Sequence, residues 1–314
     1  MSRLRSRLLE NDWSGLLVVV VAAIAVIGML RPSFLSPFNI QVLLAAIAVN
    51  MVIALSQMVI IAIGQMNLAV GAIGGLVAIA FAGMMEVWGV PAPLAALGGL
   101  AIGLAAGLAN GYLVARTNIS AFIITLATLS VFKGINLGIT EAQPFYGVAA
   151  SVKAFGNSNV FGPIPWLVVP MAIVSIGAAV LLSRLRIGRY ILAVGGISVG
   201  STIVWAHAIS GLLAAIAGMM VVARLQIGQP SIGDDWLILS FAAPVIGGAL
   251  LQGGHVSVAG TFLGVVIVAI ITQALVLFDI DPFVVQIVLG VLILWAVGIN
   301  RLREVGLGTS LKRI

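Results

Sequence analysis

The chain contains a stretch of 54 residues, from Pro32 to Met85, without a single charged side chain. A transmembrane helix needs about 20 consecutive apolar residues, because a rise of about 1.5 Å per residue must cover about 30 Å of hydrocarbon. The stretch is therefore long enough for two spans. The whole chain agrees, since 62% of its 314 residues are hydrophobic and 8% are charged, against about 25% charged in an average soluble domain. A soluble globular fold is excluded.

The uncharged intervals divide the chain into ten predicted membrane spans. The longest interval is split where glycines and side-chain amides cluster, in the sequence IGQMNLAVG at 63–71, because such residues satisfy the backbone groups that an interrupted helix frees. The sequence thus predicts an all-α, polytopic integral membrane protein of about ten transmembrane helices in a single domain over residues 1–314. The predicted spans are 13–30, 39–63, 69–85, 92–115, 118–140, 165–183, 200–223, 236–251, 256–278 and 282–300.

The basic residues predict which side of the membrane each loop faces, because cytoplasmic loops are enriched in Lys and Arg. With ten spans both termini lie on one side, and eleven basic residues fall on that side against three on the other. We therefore expect both termini in the cytoplasm. The basic start followed by an apolar stretch also fits a signal peptide, but the stretch is as long as a span and lacks an A-x-A-like cleavage site. We interpret it as a retained first helix.

Four glycines recur at every fourth position of one predicted helix. Small residues at this spacing let two helix backbones approach closely, which is how helices associate in lipid. The stripe predicts a tightly packed helix face, either inside the chain or at a contact between subunits. Its members are Gly99, Gly103, Gly107 and Gly111.

The sequence lacks most residues that chemistry inside a membrane uses. It has no cysteine, and its two histidines, His207 and His255, lie 48 residues apart without a neighbouring carboxylate, so we expect no metal site. Lys133 is a charged residue deep in an apolar interval, and either a snorkelling or packing role or a substrate or counter-ion role is open to it. We expect Asp234 and Asp235 on a solvated external turn.

One short motif points to a different class of protein. Residues 196–200 match G-x-S-x-G, the nucleophile elbow of serine hydrolases, so an intramembrane hydrolase using Ser198 with His207 or His255 is a remote alternative. That motif needs a strand before it and a helix after it, and the pattern here supplies no strand. No P-loop sequence occurs, so any nucleotide must bind to another chain.

Five stretches, in order and at matching spacing, carry a resemblance to a known family. They are GQMNLAVGAIGGL at 64–76, AFIITLATLSVFKGI at 121–135, IGRYILAVGG at 187–196, SGLLAAIAGMMVVARLQIGQP at 210–230 and APVIGGALLQGGHVSVAGTFLG at 243–264. Over nearly its full length the chain resembles the membrane permease subunits of ribose-type sugar ABC importers.

The resemblance implies a non-enzymatic permease of about ten helices in the bacterial cytoplasmic membrane, surrounded by lipid and paired with a second copy or a paralogue. A cytoplasmic ABC ATPase would bind the ATP, and an extracytoplasmic binding protein would deliver a monosaccharide or related polyol. The resemblance implies no cofactor on this chain and no nucleic-acid partner.

A neutral, hydroxyl-rich substrate suits the sequence, since proton-coupled transporters usually need a mid-span carboxylate and none is predicted here. Amides and hydroxyls at helix breaks are candidates for weak substrate contacts, and each has an alternative role in bonding the backbone that a break frees. A gradient-driven carrier or channel is the second functional class. The candidates are Asn50, Gln57, Gln65, Asn67 and Thr125.

The chain departs from the family pattern in two places. Asn67, Ala69 and Ala72 stand where the family usually has an aspartate and two serines, so the first break is uncharged. The family also carries a short acidic, alanine-rich helix after the glycine pair, and this chain lacks it. That helix is expected to dock on the ATPase. Without it, either the flanking residues or a paralogous permease couple this chain to the ATPase, or this chain is a defective copy of the permease. The coupling candidates are Arg184, Arg186, Arg189, Tyr190, Gly195 and Gly196.

Overall fold

The computed structural model describes residues 14–193, 200–281 and scattered positions between 284 and 298. These residues form an all-α structure with one short hairpin, β1 (Asn159–Phe161) and β2 (Ile164–Pro165), and a 3₁₀ helix at Pro32–Leu35. The helices are α1 (Ser14–Leu30), α2 (Pro37–Ala62), α3 (Val70–Glu86), α4 (Ala92–Thr117), α5 (Ala121–Thr140), α6 (Ala150–Asn157), α7 (Val168–Arg184), α8 (Arg186–Ala193), α9 (Gly200–Leu225), α10 (Trp236–Ile246) and α11 (Val258–Leu277).

Several helices begin and end at residues that suit those positions. Ser36, Ser120 and Ser257 precede α2, α5 and α11, and each hydroxyl accepts a hydrogen bond from a backbone N–H of the first turn. Helices α4 and α5 end where Asn118 and Glu141 take φ values of 56° and 49°, the left-handed geometry common just past a helix end. These boundaries are therefore encoded locally.

Among the helices of the described residues, five are long and apolar enough to cross a membrane, namely α2, α4, α5, α9 and α11. Helices α7 and α8 together are a sixth candidate, bent by 73° where they meet. Helices α1, α3 and α10 are apolar but shorter, and the 11 residues of α10 cover only about 17 Å at 1.5 Å per residue. The chain is an all-α polytopic membrane protein that combines long and short apolar helices.

Most of the predicted spans coincide with helices of the described residues. Each of the first nine intervals contains one described helix. The largest difference is in the interval 236–251, because α10 ends at Ile246 and the chain stays non-helical to Ser257. Gly248, Gly253 and Gly254 have φ values of 89°, 88° and 81° there, which a right-handed helix excludes. The interval 282–300 lies largely outside the described residues, and the number of crossings and the side of each terminus stay predictions.

Two long helices, α2 and α9, pack against each other at the centre of the fold. Helix α2 is followed by the short α3, which packs against α9, and α9 is followed by the short α10, which packs against α2. Helix α4 then covers α9, and α11 covers α2. The fold thus repeats one arrangement twice, with the short helix of each half lying against the central helix of the other. The tripeptide IGQ follows both central helices, at 63–65 and 227–229.

The glycine stripe of α4 faces α9 within the same chain. A methyl group on Gly103 would lie 2.7 Å from the carbonyl oxygen of Gly211, and one on Gly111 would lie 2.7 Å from the Cα of Val204. A side chain at either position would therefore push the two backbones apart. The remaining members of the stripe, Gly99 and Gly107, also contact α9.

Candidate functional site

The first helix break, residues 63–69 between α2 and α3, is organised around the buried side chain of Asn67. The Asn67 Oδ1 atom accepts a hydrogen bond of 2.9 Å from the backbone N–H of Ala69, one of the donors left unpaired at the start of α3. Its Nδ2 atom donates to the hydroxyl of Ser210 on α9 over 3.2 Å. Asn67 therefore caps α3 and ties the break to the central helix of the other half.

Two hydroxyl groups complete the links between the break and its neighbours. Thr125 on α5 accepts a hydrogen bond of 3.1 Å from the backbone N–H of Leu68 and donates one of 2.7 Å to the carbonyl of Ala121. The Ser56 hydroxyl on α2 donates to the backbone carbonyl of Ser210 over 2.9 Å. Both side chains are fully buried, so these bonds satisfy polar groups that lack water.

Two glutamines bracket the same break. The Gln57 amide lies against the backbone of Asn67; oriented to satisfy both groups, it donates to the carbonyl oxygen over 3.0 Å and accepts from the N–H over 3.2 Å. The Gln65 Oε1 atom lies 3.3 Å from Nε2 of the buried His207 on α9. With the Gln65 oxygen towards the ring, Nε2 is the donor of this pair, because an amide oxygen only accepts hydrogen bonds.

The structure thus brings four of the five predicted pathway residues, Gln57, Gln65, Asn67 and Thr125, into one cluster. Their bonds to backbone and to neighbouring side chains fit the structural role that the sequence left open, and contact with substrate stays a prediction. Asn50 lies two turns earlier on α2 and is half-buried. Sequence reasoning did not single out Ser56, His207 and Ser210 for this cluster, because polar residues on α2 and α9 carry no local signal of which partner they meet.

The second break, residues 247–257 between α10 and α11, contacts the first. The backbone N–H of Gly254 donates to the carbonyl oxygen of Ala62, the last residue of α2, over 2.9 Å. A methyl group on Gly253 would lie 2.6 Å from the backbone nitrogen of Gly64. Both glycines have positive φ, so this position needs glycine for its conformation and for its close approach.

The connector 226–235, which joins α9 to α10, is tied to α5 by an ion pair between Lys133 and Asp234. The Lys133 Nζ atom also donates to the carbonyl oxygen of Pro230 over 2.9 Å, and Asn136 Nδ2 donates to the same oxygen over 3.1 Å. Sequence reasoning treated Lys133 as snorkelling or as a substrate contact and Asp234 as solvated, and it missed the pairing. The available signal was a positive charge inside one apolar interval and a negative charge just before another.

The carboxyl next to this ion pair has an altered acidity. Loss of solvation raises the pKa of Asp235 above its ordinary value, a hydrogen bond from its own backbone lowers it, and the nearby charge of Asp234 raises it. The net shift is upward, so Asp235 binds a proton more readily than a solvated aspartate does.

The predicted coupling segment is described only in part. Arg184 is the last residue of α7, and Arg186, Arg189 and Tyr190 lie exposed on α8. The opposite face of α8 is buried through Gly188 and Ile191, so the helix lies along the protein and presents basic side chains outward. Gly195, Gly196 and Ser198 lie outside the described residues.

No metal site is formed by the described part of the chain. Within it, no three His, Cys, Asp or Glu side chains come together in a group that could hold a metal ion. His207, on α9, instead lies against Gly107 and Gly111 of α4 and pairs with Gln65.

Membrane transport proteins commonly combine long apolar helices with short, broken ones and gather polar groups at the breaks. Residues 37–297 match the family described as the branched-chain amino acid transport system / permease component. The chain belongs to this permease family and is a permease component rather than the subunit that hydrolyses ATP.

Individual relatives are similar over nearly the whole chain. The ribose import permease protein RbsC of Bacillus subtilis (strain 168) is 35% identical, over 91% of each chain. RbsC of Escherichia coli K12 is 31% identical, over 92% of this chain and 93% of its own. The D-allose transport system permease protein AlsC of Escherichia coli K12 is 32% identical, over 93% of this chain and 92% of its own. No solved structure matches. The resemblance drawn from the five sequence stretches is confirmed.

Proposed function

We propose that this permease is the membrane subunit of an ATP-binding-cassette importer that translocates a monosaccharide or a related polyol. The observation that carries the proposal is the similarity to relatives named for the import of ribose and allose, which are 31–35% identical over 91–93% of this chain. The family description names branched-chain amino acids, which carry an ammonium and a carboxylate. The family description and the names of the relatives thus point to different substrate classes.

The chemistry of the first helix break favours a neutral substrate. The side chains gathered there carry amides, hydroxyls and one imidazole and include no carboxylate, ammonium or guanidinium. They belong to Ser56, Gln57, Gln65, Asn67, Thr125, His207 and Ser210. An amino acid zwitterion in a low-dielectric passage would need charged partners or helix ends to offset the loss of its hydration. Amides and hydroxyls match the hydroxyl groups of a sugar, which both donate and accept hydrogen bonds.

The proposed assembly places about ten spans in the bacterial cytoplasmic membrane with both termini in the cytoplasm, in a dimer with a second copy or a paralogue. An extracytoplasmic binding protein delivers the sugar, and a cytoplasmic ATPase binds and hydrolyses ATP. On this topology α8 lies on the cytoplasmic side, and its exposed Arg186, Arg189 and Tyr190 face the ATPase in place of the missing acidic helix.

The first test is a pull-down of the tagged permease from membranes of its native host, with every co-purifying chain identified by mass spectrometry. Recovery of a P-loop ATPase supports the importer class, and a paralogous permease in the same complex would show which subunit docks it. Recovery of the permease alone, under conditions that keep related complexes intact, contradicts ATPase coupling.

The second test is transport by the recovered complex in proteoliposomes with its binding protein. We expect a sugar such as D-ribose to stimulate ATP hydrolysis and to accumulate only when ATP is supplied, while L-leucine does neither. Stimulation by leucine alone contradicts the sugar assignment. Uptake that proceeds without nucleotide contradicts the importer class and favours the gradient-driven carrier or channel.

A further inference from the structure

A cavity of about 440 Å³ lies between the C-terminal half of α5 and the connector 226–235. Its polar lining residues are Lys133, Gln229, Ser231 and Asp234, and its apolar lining includes Leu137, Pro144 and Pro230. Small-molecule sites in proteins are concave, mostly apolar and roughly 300–1,000 Å³ in volume. This cavity is at the lower end of that range and is open to solvent on its outer side, so a small solute bound there would keep part of its surface exposed.

The walls of the cavity are held in place before any ligand arrives. The carbonyl of Pro230 accepts from both Lys133 and Asn136. Beyond it, Gly228 and Phe145 exchange two backbone hydrogen bonds of 2.7 and 2.9 Å. These bonds join the connector to α5 and to the segment that follows α5. A preformed site loses less conformational entropy on binding than one that must be ordered by its ligand.

The charges in the wall are balanced and offer both kinds of hydrogen-bonding partner. The ammonium of Lys133 has three donors, two of which go to Pro230 and Asp234, and a carboxylate accepts through several lone pairs. The Gln229 amide adds a donor and an acceptor. A solute with a net charge would face one like charge of the ion pair, whereas neutral hydroxyls can bond to both members.

We propose that this cavity is a binding site for a neutral, hydroxyl-rich solute, separate from the polar cluster at the first helix break. The proposal rests on the proposed function in taking a monosaccharide as that solute. In this site Lys133, Asp234 and Gln229 bond to hydroxyl groups, and Leu137 and Pro144 contact the apolar face of the sugar ring.

Because the sequence contains no cysteine, a single cysteine can be introduced into the cavity, and its protection from a thiol reagent then reports binding. The Ser231→Cys variant places the permease's single thiol in the cavity wall, and the permease is then labelled with a maleimide while in complex with its ATPase. D-ribose at about ten times its Kd should slow labelling roughly tenfold, because about a tenth of the sites then remain free. Sodium gluconate, an anion of similar size, should not slow it.

Two further variants test whether the protection by D-ribose is specific to the cavity. Ser158→Cys, an exposed thiol outside the cavity, should react at the same rate with and without D-ribose. Adding Gln229→Leu to the Ser231→Cys chain removes a polar group from the wall and should abolish most of the protection. Unchanged labelling of Ser231→Cys in D-ribose, or equal slowing at both thiols, overturns the proposed site.

Failure of the cavity site and failure of the proposed importer function give different results in these experiments. A complex that shows ribose-stimulated ATP hydrolysis while Ser231→Cys stays unprotected overturns the cavity site alone. A complex in which D-ribose protects this thiol but no sugar stimulates ATP hydrolysis supports the site and contradicts the importer.

Discussion

The backbone N–H of Gly254 donates a hydrogen bond to the carbonyl oxygen of Ala62 over 2.9 Å, so the two helix breaks of the chain meet. Ala62 ends α2, and its carbonyl is one of the acceptors that a helix leaves unpaired at its C-terminus. A backbone donor of the second break therefore satisfies a carbonyl group at the start of the first. This contact connects segments from the two halves of the chain, although Gly254 itself is exposed.

The close approach of the two breaks predicts different effects at two glycines of the same segment. Gly253 and Gly248 share a φ near 90°, but a methyl group on Gly253 would contact the backbone of Gly64, whereas one on Gly248 would meet nothing within 4 Å. Gly248→Ala should cost about 1–2 kcal/mol from backbone strain alone. Gly253→Ala should cost clearly more, measured by thermal unfolding in detergent. Equal losses for the two variants would show that the breaks are not packed this closely.

The polar cluster predicts that Asn67 is needed for stability. Asn67→Ala leaves the Ala69 N–H without its acceptor and should destabilise the protein by about 1–3 kcal/mol. Asn67→Asp, which restores the residue that the family usually carries, should lose less at a pH where the buried carboxyl is protonated, because the neutral carboxyl keeps that acceptor, its O–H can donate to Ser210 and no charge is buried. The exposed Asn159→Ala serves as the matched control and should be neutral. Thermal unfolding of the three variants decides, and an aspartate variant as unstable as alanine would contradict the described bonds.

The glycine stripe predicts a contrast between two helices. Gly107→Ala places a methyl group against the backbone of His207 and Ala208 on α9 and should cost about 1–3 kcal/mol through overpacking. Gly138→Ala on α5 meets no atom within 4 Å and should stabilise the helix by up to about 1 kcal/mol, because alanine has the higher helix propensity. Melting temperatures of the two purified variants measure the difference. Destabilisation by Gly138→Ala would indicate that this face of α5 is covered by another subunit.

The ion pair between Lys133 and Asp234 predicts weak but measurable coupling. Its side chains are 27% and 56% exposed, so solvent screens their attraction and the pairwise energy should be only about 0.5–1 kcal/mol. A double-mutant cycle of Lys133→Met, Asp234→Asn and the double variant isolates this energy from the separate bond of Lys133 to Pro230. The coupling should shrink as salt is raised. A coupling energy of zero at low salt would contradict the pair.

The exposed face of α8 predicts a specific loss of assembly. Arg186→Glu and Arg189→Glu together reverse two charges on this face and should abolish co-purification of the ATPase without changing the melting temperature of the permease, because both side chains are exposed. Lys153→Glu, on a segment predicted to lie on the opposite side of the membrane, is a single charge reversal that also removes the hydrogen bond from Lys153 to the Tyr146 carbonyl, and it should leave assembly intact. Retention of the ATPase by the double variant would exclude α8 as the docking surface.

The sequence predicts this structure well where the information is local. Uncharged intervals located nine of the described helices, since hydropathy and length act within one segment, and the glycines and amides of 63–71 located the first break. Lys133 and Asp234 are 101 residues apart, and nothing in the neighbourhood of either residue specifies the other. Residues 247–260 were predicted to form a second glycine-rich break, and the structure has one at 247–257. Only the predicted span 236–251 runs too far, past the end of α10 at Ile246, because Ala249, Leu250 and Leu251 resemble a helix until their backbone conformation is known.

Each short helix packs on the central helix of the other half of the chain, and this affects the order in which the helices can pack during synthesis. Helix α3 packs on α9 where Gly74 and Gly218 touch, and Gly218 leaves the ribosome about 140 residues after Gly74. At about 5–20 residues per second this delay is on the order of ten seconds. Throughout it, lipid or an insertion factor must cover the glycine face of α3, so the first half of the newly made chain stays unfinished until α9 has entered the membrane.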